Sequence, residues 1–177
     1  MTQKVRPEAK VRPPWCDRAD HRALGAGRVR TGDAMRGNEV RYDINRTVSR
    51  DDVLELYDSV GWSAYTEDPD SLIRGLENSA IVVTACSAGK LVGLARAISD
   101  WAAIAYLQDV LVHPAHRCRG IATALVSRAL EAFARVRQHV LLTDAGPGQR
   151  AFYESLGFTE IRDLLGPGDR SFVGFNL

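Results

Sequence analysis

From Val40 onward the apolar positions alternate between a period of two and a period of about 3.6, the signature of a mixed α/β domain. Arg41 to Asn45 reads as a short first strand. Ser49 is a good N-cap, Asp51 and Asp52 place negative charge in the first helical turn, and Val53, Leu54, Leu56, Tyr57 and Val60 supply an apolar face. A second helix is expected to start near Pro69, which suits the first helical position, and to carry Leu72, Ile73 and Leu76 inward. Ala80 to Ser87 and Lys90 to Ser99 flank an Ala88-Gly89 turn and predict an antiparallel hairpin.

Ala103 to Val112 is expected to be the central strand. Strict alternation turns Ile104, Tyr106, Gln108, Val110 and Val112 one way and Ala105, Leu107, Asp109 and Leu111 the other. Both sets are mostly apolar, which predicts a strand covered on both faces. Next comes a long amphipathic helix with Ile121, Leu125, Ala129, Phe133 and Val136 on one stripe, and Arg119, Thr123, Ser127, Glu131 and Arg135 on the other. His139 to Thr143 reads as a strand and Gln149 to Leu156 as a short helix stopped by Gly157. Phe158 to Arg162 and Arg170 to Phe175 are expected to close the sheet.

Residues 1–38 do not share this pattern. They hold nine Lys/Arg against four Asp/Glu, with three prolines, four glycines and few large aliphatics. Such a segment buries too little surface to offset its ordering entropy, so it is expected to be a basic, disordered tail or an upstream extension, with Met35 an alternative start. A nucleic-acid arm is disfavoured, because aromatic interleaving and a folded basic face are missing. Residues 39–177 hold the reverse imbalance, fourteen against eighteen, and are expected to form one domain.

The length of 177 residues and a hydrophobic content of 45% fit one globular domain. No apolar run approaches the roughly 18 residues of a membrane span, and the basic N-terminus has no hydrophobic segment of the kind a secretion signal needs. The expected location is cytoplasmic. Cys16, Cys86 and Cys118 are odd in number and irregularly spaced, which argues against a disulfide framework or a zinc site.

The chemistry concentrates between Val112 and Ala122, where the central strand gives way to the long helix. The first amides of a helix have no intrahelical acceptor and sit at the positive end of its dipole, so the junction is suited to an anion. Gly120 permits close approach of the backbone, and Arg117 and Arg119 suit bidentate contact with phosphate oxygens. The junction is therefore expected to bind a pyrophosphate.

Arg117-Cys118-Arg119-Gly120-Ile121-Ala122 resembles the Arg/Gln-x-x-Gly-x-Gly/Ala signature of the GNAT acyl-CoA N-acyltransferases, and Ala151-Phe152-Tyr153-Glu154-Ser155-Leu156-Gly157-Phe158 resembles that family's later Tyr-x-x-x-Gly-Phe segment. The resemblance runs from about residue 40 to the end. It implies a mixed, mostly antiparallel six- to seven-stranded sheet with splayed central strands and helices on both faces. Acetyl-CoA is implied as cosubstrate, its pantetheine arm along the main chain of Leu111 and Val112. Its pyrophosphate is implied on Arg117, Cys118, Arg119, Gly120, Ile121, Ala122 and Thr123. Cys118 reads as a variable position of this loop rather than a reactive thiol, and Thr123 either adds a hydroxyl or is simply exposed.

Tyr153 falls where the family protonates the departing CoA thiolate, and a phenol suits a thiol leaving group. For the general base the resemblance leaves alternatives. Many members carry a central-strand Glu, whereas here the stretch reads Tyr106-Leu107-Gln108-Asp109. Asp109 can serve as base or be structural, Gln108 can orient a water, and a water chain to solvent also suffices. Gly146 and Gln149 stand where many members have Asn and Ala, a departure from the pattern.

The acceptor is expected near Gly61 to Asp68, where Trp62 and Tyr65 lie beside Glu67 and Asp68 and suit a cationic amine. His113 and His116 read as exposed loop residues without a third ligand, so no metal is expected. The leading expectation is acetyl transfer to a primary amine of a small molecule. A peptide or protein acetyltransferase and a non-catalytic acyl-CoA sensor are the alternatives. No membrane partner is expected, and a homodimer is plausible on resemblance.

Overall fold

Ser49 opens the first helix as the sequence requires. Its hydroxyl accepts from the Asp52 amide at 3.1 Å and donates to the Asp52 carboxylate at 2.7 Å. The computed structural model describes residues 39–164. The described chain runs β1 (Val40–Ile44), α1 (Arg50–Ser59), α2 (Ser63–Thr66), α3 (Pro69–Glu77), β2 (Ile81–Ser87), β3 (Lys90–Ser99), β4 (Ile104–Val112), a 3-10 turn (Pro114–His116), α4 (Ile121–Ala132), β5 (Gln138–Leu141), α5 (Pro147–Ser155) and a second 3-10 turn (Ile161–Asp163). It falls into two compact units that divide between Leu142 and Thr143.

The first unit carries one sheet in the order β1-β2-β3-β4-β5. The first four strands are antiparallel and β5 joins β4 in parallel. The expected β2–β3 hairpin is present, with Ala88 and Gly89 at φ +49° and +82°, the pair of left-handed residues a two-residue turn needs. Against the expected six to seven strands, five lie within the described residues. Phe158 to Arg162, expected as a strand, instead enters the second 3-10 turn. The expected strand Arg170 to Phe175 lies outside the described residues.

Helices cover both faces of the sheet. On one face Val53, Leu56 and Tyr57 of α1 and Leu72 and Leu76 of α3 pack with Leu94 and Leu111. On the other, Ile121, Leu125, Ala129, Phe133 and Val136 are all buried, which is the stripe the period of 3.6 predicted. Gly93 lets α4 approach: a Cβ there would stand 3.1 Å from both Ile121 Cγ2 and Leu125 Cδ1 and 3.4 Å from the Leu111 carbonyl. Gly93→Val is therefore expected to overpack this contact and lower stability by about 1–3 kcal/mol in a denaturant melt.

Two bulges shape the sheet. Ala85 pairs with Gly93 but Cys86 with Leu91, leaving Val92 extra; Arg96 pairs with Asp109 but Ala97 with Leu107, leaving Gln108 extra. The second bulge breaks the alternation expected for β4. Leu107 shares the face of Ala97, whereas Asp109, only two residues on, shares the opposite face with Arg96.

The second unit is built on α5. Pro147 starts it, and Gly157 at φ +91° ends it while the Phe158 amide reaches the Tyr153 carbonyl at 3.1 Å. Arg150 holds the following segment by ion pairs to Glu154 at 2.8 Å, to Glu160 at 2.7 Å and to Asp163. These pairs join Glu160 and Asp163, at either end of the turn that stands where a strand was expected, to α5.

Candidate active site

The strand-to-helix junction has an open, donor-rich geometry. Beyond β4 the His113 amide still reaches the Val92 carbonyl at 2.9 Å, and His113 Nδ1 accepts from the Ala115 amide at 3.2 Å. Cys118 and Gly120 both take the left-handed conformation, at φ +59° and +76°. A Cβ on Gly120 would meet nothing within 4 Å, so the space in front of the loop is free.

Helix α4 then begins at Ile121 with no side-chain cap and no acidic residue in its first turn. Ile121 is buried and anchors the helix end in the sheet, while Arg117, Cys118, Arg119, Gly120 and Thr123 stay exposed and Ala122 is half-buried. Arg117 also donates to the Val112 carbonyl at 3.4 Å. Uncapped amides, two arginines and no competing carboxylate fit the pyrophosphate of acyl-CoA. Cys118 lies before α4 and not in its first turn.

The two histidines differ from expectation, since both are half-buried. Burial, and then the charges of Arg119 and His113, push His116 below the ordinary histidine range, so its ring is neutral near pH 7.

The edge of β4 opens next to this loop. Its pairing with β5 ends at Leu107 with Leu141, while its pairing with β3 continues to Val112. Leu111 and Val112 are thus buried but lie on the stretch that has lost its β5 partner. The His113 amide points toward β3, and backbone amides alternate in direction along a strand, so the Val112 amide points to the open side.

The bulge in β4 assembles a second constellation. Asp109 is 1% exposed and accepts from Tyr57 Oη at 2.8 Å, from Tyr65 Oη at 3.3 Å and, in an ion pair, from Arg96 Nε. Arg96 also donates to the Gly75 carbonyl and to Ser79 Oγ, each at 3.3 Å, which ties the end of α3 to the bulge. Gln108 Nε2 donates to Tyr65 Oη at 3.4 Å, so the Tyr65 hydroxyl touches both consecutive residues of the bulge. Burial first, then the Asp109 charge, holds the Tyr57 phenol far above its usual range and raises that of Tyr65.

Trp62 and Tyr65 come together as expected, with rings stacked at 5.7 Å, and Tyr57 closes the aromatic cluster at 5.8 Å from Trp62 and 5.4 Å from Tyr65. The carboxylates of that loop separate. Asp68 caps α3 by accepting from the Ser71 amide at 3.1 Å, whereas Glu67 is exposed. Arg96 and Tyr57 were missed in the sequence. One signal for Arg96 was available: it is the single charge inside an apolar hairpin strand.

Tyr153 lies on α5 of the second unit, with its ring edge-on to Phe152 at 5.0 Å and to Phe158 at 5.9 Å. Burial, with a smaller contribution from Asp144, pushes its phenol up to about 12. Among the described residues no group of three or more His, Cys, Asp or Glu is placed to hold a metal ion, and no helix is long and apolar enough to cross a membrane.

Comparison with known proteins places this geometry. Residues 48–158 match the family model described as the acetyltransferase (GNAT) family. The uncharacterized N-acetyltransferase ycf52 of Pyropia yezoensis is 27% identical over 139 residues, 76% of this chain and 78% of that protein. Among solved structures, a GNAT family acetyltransferase from Streptococcus pneumoniae is 28% identical with a TM-score of 0.66, over 78% of this chain and 98% of that one. An aminoglycoside N-acetyltransferase in complex with CoA shares the fold, at 18% identity and a TM-score of 0.59 over 81% of this chain and 98% of that one. With its uncapped helix end at an Arg-x-x-Gly-x-Ala loop and its mixed sheet opening beside it, the chain belongs to the GNAT acetyltransferase family and is an acyltransferase.

Proposed function

We propose that this enzyme transfers the acetyl group of acetyl-CoA to a primary amine of a small molecule, by direct attack in a ternary complex. The observation that carries the reading is the uncapped, acid-free start of α4 behind the Arg117 to Gly120 loop, adjoining the edge of β4 that, among the described residues, has no partner beyond Leu107. The loop amides and Arg117 and Arg119 hold the pyrophosphate, and the main chain of Leu111 and Val112 takes the pantetheine arm as a β5-side partner would. The outward Val112 amide serves as a donor to the developing oxyanion.

The amine nitrogen bonds to the thioester carbon, the C–S bond breaks with its electron pair left on sulfur, and Tyr153 supplies the proton that sulfur takes. A phenol pushed up to about 12 is fully protonated at neutral pH, as an acid in this role must be. Trp62 and Tyr65 receive the acceptor. Asp109 acts as a positioning residue, since its oxygens are taken up by Arg96, Tyr57 and Tyr65, and it works with Gln108 by fixing the Tyr65 hydroxyl. The amine proton leaves through water to solvent. Residues 39–177 form the catalytic domain in this reading, in keeping with a family match that starts at residue 48.

The test is acetyl-CoA consumption with mass-spectrometric detection of acetylated products, across amino acids, monoamines, polyamines, aminoglycosides and short peptides. Acetylated small amines are the expected result. Acetylation restricted to peptides overturns the small-molecule reading. Tight CoA binding without turnover of any acceptor overturns the catalytic one.

A further inference from the structure

The sheet face that bears Asp109 continues, past the helices, into a bare apolar shelf. Ile98 lies opposite Tyr106 in the β3–β4 register, on the same face as Arg96 and Asp109, and Ile104 follows two residues from Tyr106 on that face. Ile98 is 48% exposed and Ile104 is 41% exposed. Tyr106 is half-buried, and its phenol is raised by burial and then by the charge of Asp109. The shelf therefore starts beside the Tyr65–Gln108–Asp109 cluster and runs away from it. Apolar side chains that are exposed and adjacent on one sheet face offer a surface that a ligand's apolar part can cover.

The charges around the shelf define its occupant. A site for a polycation needs carboxylates free to face ammonium groups. Here Asp109 is buried against Arg96, Asp68 caps α3, Asp58 accepts the Thr66 hydroxyl at 2.6 Å, and exposed Asp100, two residues beyond Ile98, accepts from the Ala102, Ala103 and Ile104 amides at 3.0, 2.9 and 3.0 Å, which leaves exposed Glu67 on the connection between α2 and α3. The groups at the head of the shelf are the neutral polar ends of Tyr65 and Gln108 and the stacked rings of Trp62 and Tyr65.

We infer that the shelf formed by Ile98, Ile104 and Tyr106 is the subsite for the acceptor's body, and that the acceptor is a monoamine carried on an apolar, aromatic group. The inference rests on the acetyl-transfer reading above. The amine points to Tyr65 and Gln108, whose lone pairs suit the N–H bonds of a neutral nucleophile, while the ring lies along the shelf.

The test compares kcat/KM of the full chain for 2-phenylethylamine and tryptamine with that for spermidine and an aminoglycoside, and repeats the series with Ile98→Asp and Ile104→Asp. Both substitutions sit at exposed positions. Calorimetric titration of the same amines into CoA-loaded protein reads the subsite independently of turnover. The aromatic amines are expected to exceed the polycations at least tenfold in the native chain. Each variant is expected to lose at least tenfold toward the aromatic amines through KM, with KM for acetyl-CoA unchanged. Preference for spermidine or the aminoglycoside overturns the inference but leaves acetyl transfer standing. Variants that split a dimer in analytical ultracentrifugation with unaltered selectivity assign the shelf to a second copy of the chain and overturn it. So do variants that merely melt early, which would mean the chain itself covers the shelf. If CoA-loaded protein neither binds nor acetylates any amine, the acetyl-transfer reading falls, and the inference with it.

Discussion

Tyr153→Phe is expected to lower kcat by about 10²- to 10⁴-fold, the usual contribution of a positioned general acid, while KM for acetyl-CoA changes little. The substitution removes one hydroxyl and keeps the ring that meets Phe152 and Phe158, so folding is expected to be unaffected. The pH dependence gives a second readout. A general acid acts while protonated, and burial pushes this phenol up to about 12, so the native rate is not expected to fall on the alkaline side until pH approaches that value. The rate is expected to rise with pH as the acceptor amine loses its proton and then to level. A variant within twofold of the native rate, or an alkaline limb near pH 9, removes Tyr153 from the proposed role.

Arg96→Met is expected to destabilise the protein by about 3–5 kcal/mol, because it leaves Asp109, 1% exposed, without its counter-ion. For a domain of this size that corresponds to a fall in Tm of roughly 10–20 °C, readable by circular dichroism. The loss is not only Coulombic: the Gly75 carbonyl and Ser79 Oγ lose their donors, and with them the tie between α3 and the bulge. The double variant Arg96→Met with Asp109→Leu is expected to recover part of the stability, since an apolar pair of similar volume leaves no unpaired charge behind. It should not recover activity to the same extent, because Tyr65 no longer has its partner on Asp109. A single variant that melts within about 2 °C of the native protein would mean that the pair contributes nothing, contrary to its burial.

How much of this was legible depended on how local the cause was. The Pro69 start of α3, the Ala88-Gly89 turn and the packed stripe of α4 each follow from a few neighbouring residues, and each is found where the sequence placed it. The Gln108 bulge is different. It is set by the register between β3 and β4, and alternation along β4 alone put Leu107 and Asp109 on one face when they lie on opposite faces. For the same reason the sequence offered Asp109 as a base with no view of Arg96, which lies across the hairpin. The geometry of the Arg117 to Gly120 loop was legible because it is a strand end, a glycine and a helix start in succession. Of the two loop carboxylates expected to meet the acceptor, Asp68 was already committed to the helix it caps. The residues after Gly157 read as a strand by composition, whereas Ile161–Asp163 form a 3-10 turn, and the acids at its two ends, Glu160 and Asp163, pair with Arg150.

The uncapped start of α4 also bears on how this protein can change over time. Hydrogen-bond donors that belong to the main chain survive replacement of nearly any side chain around them, so a grip built from the amides of residues 120–123 drifts slowly even when the sequence does not. The shelf of Ile98, Ile104 and Tyr106 has no such protection. Its character resides in side chains at the surface, where a single exchange alters shape without disturbing the core. On the reading proposed above, one end of the reaction is thereby anchored and the other left adjustable, and new acceptors can be tried on this scaffold while the acetyl donor remains the same.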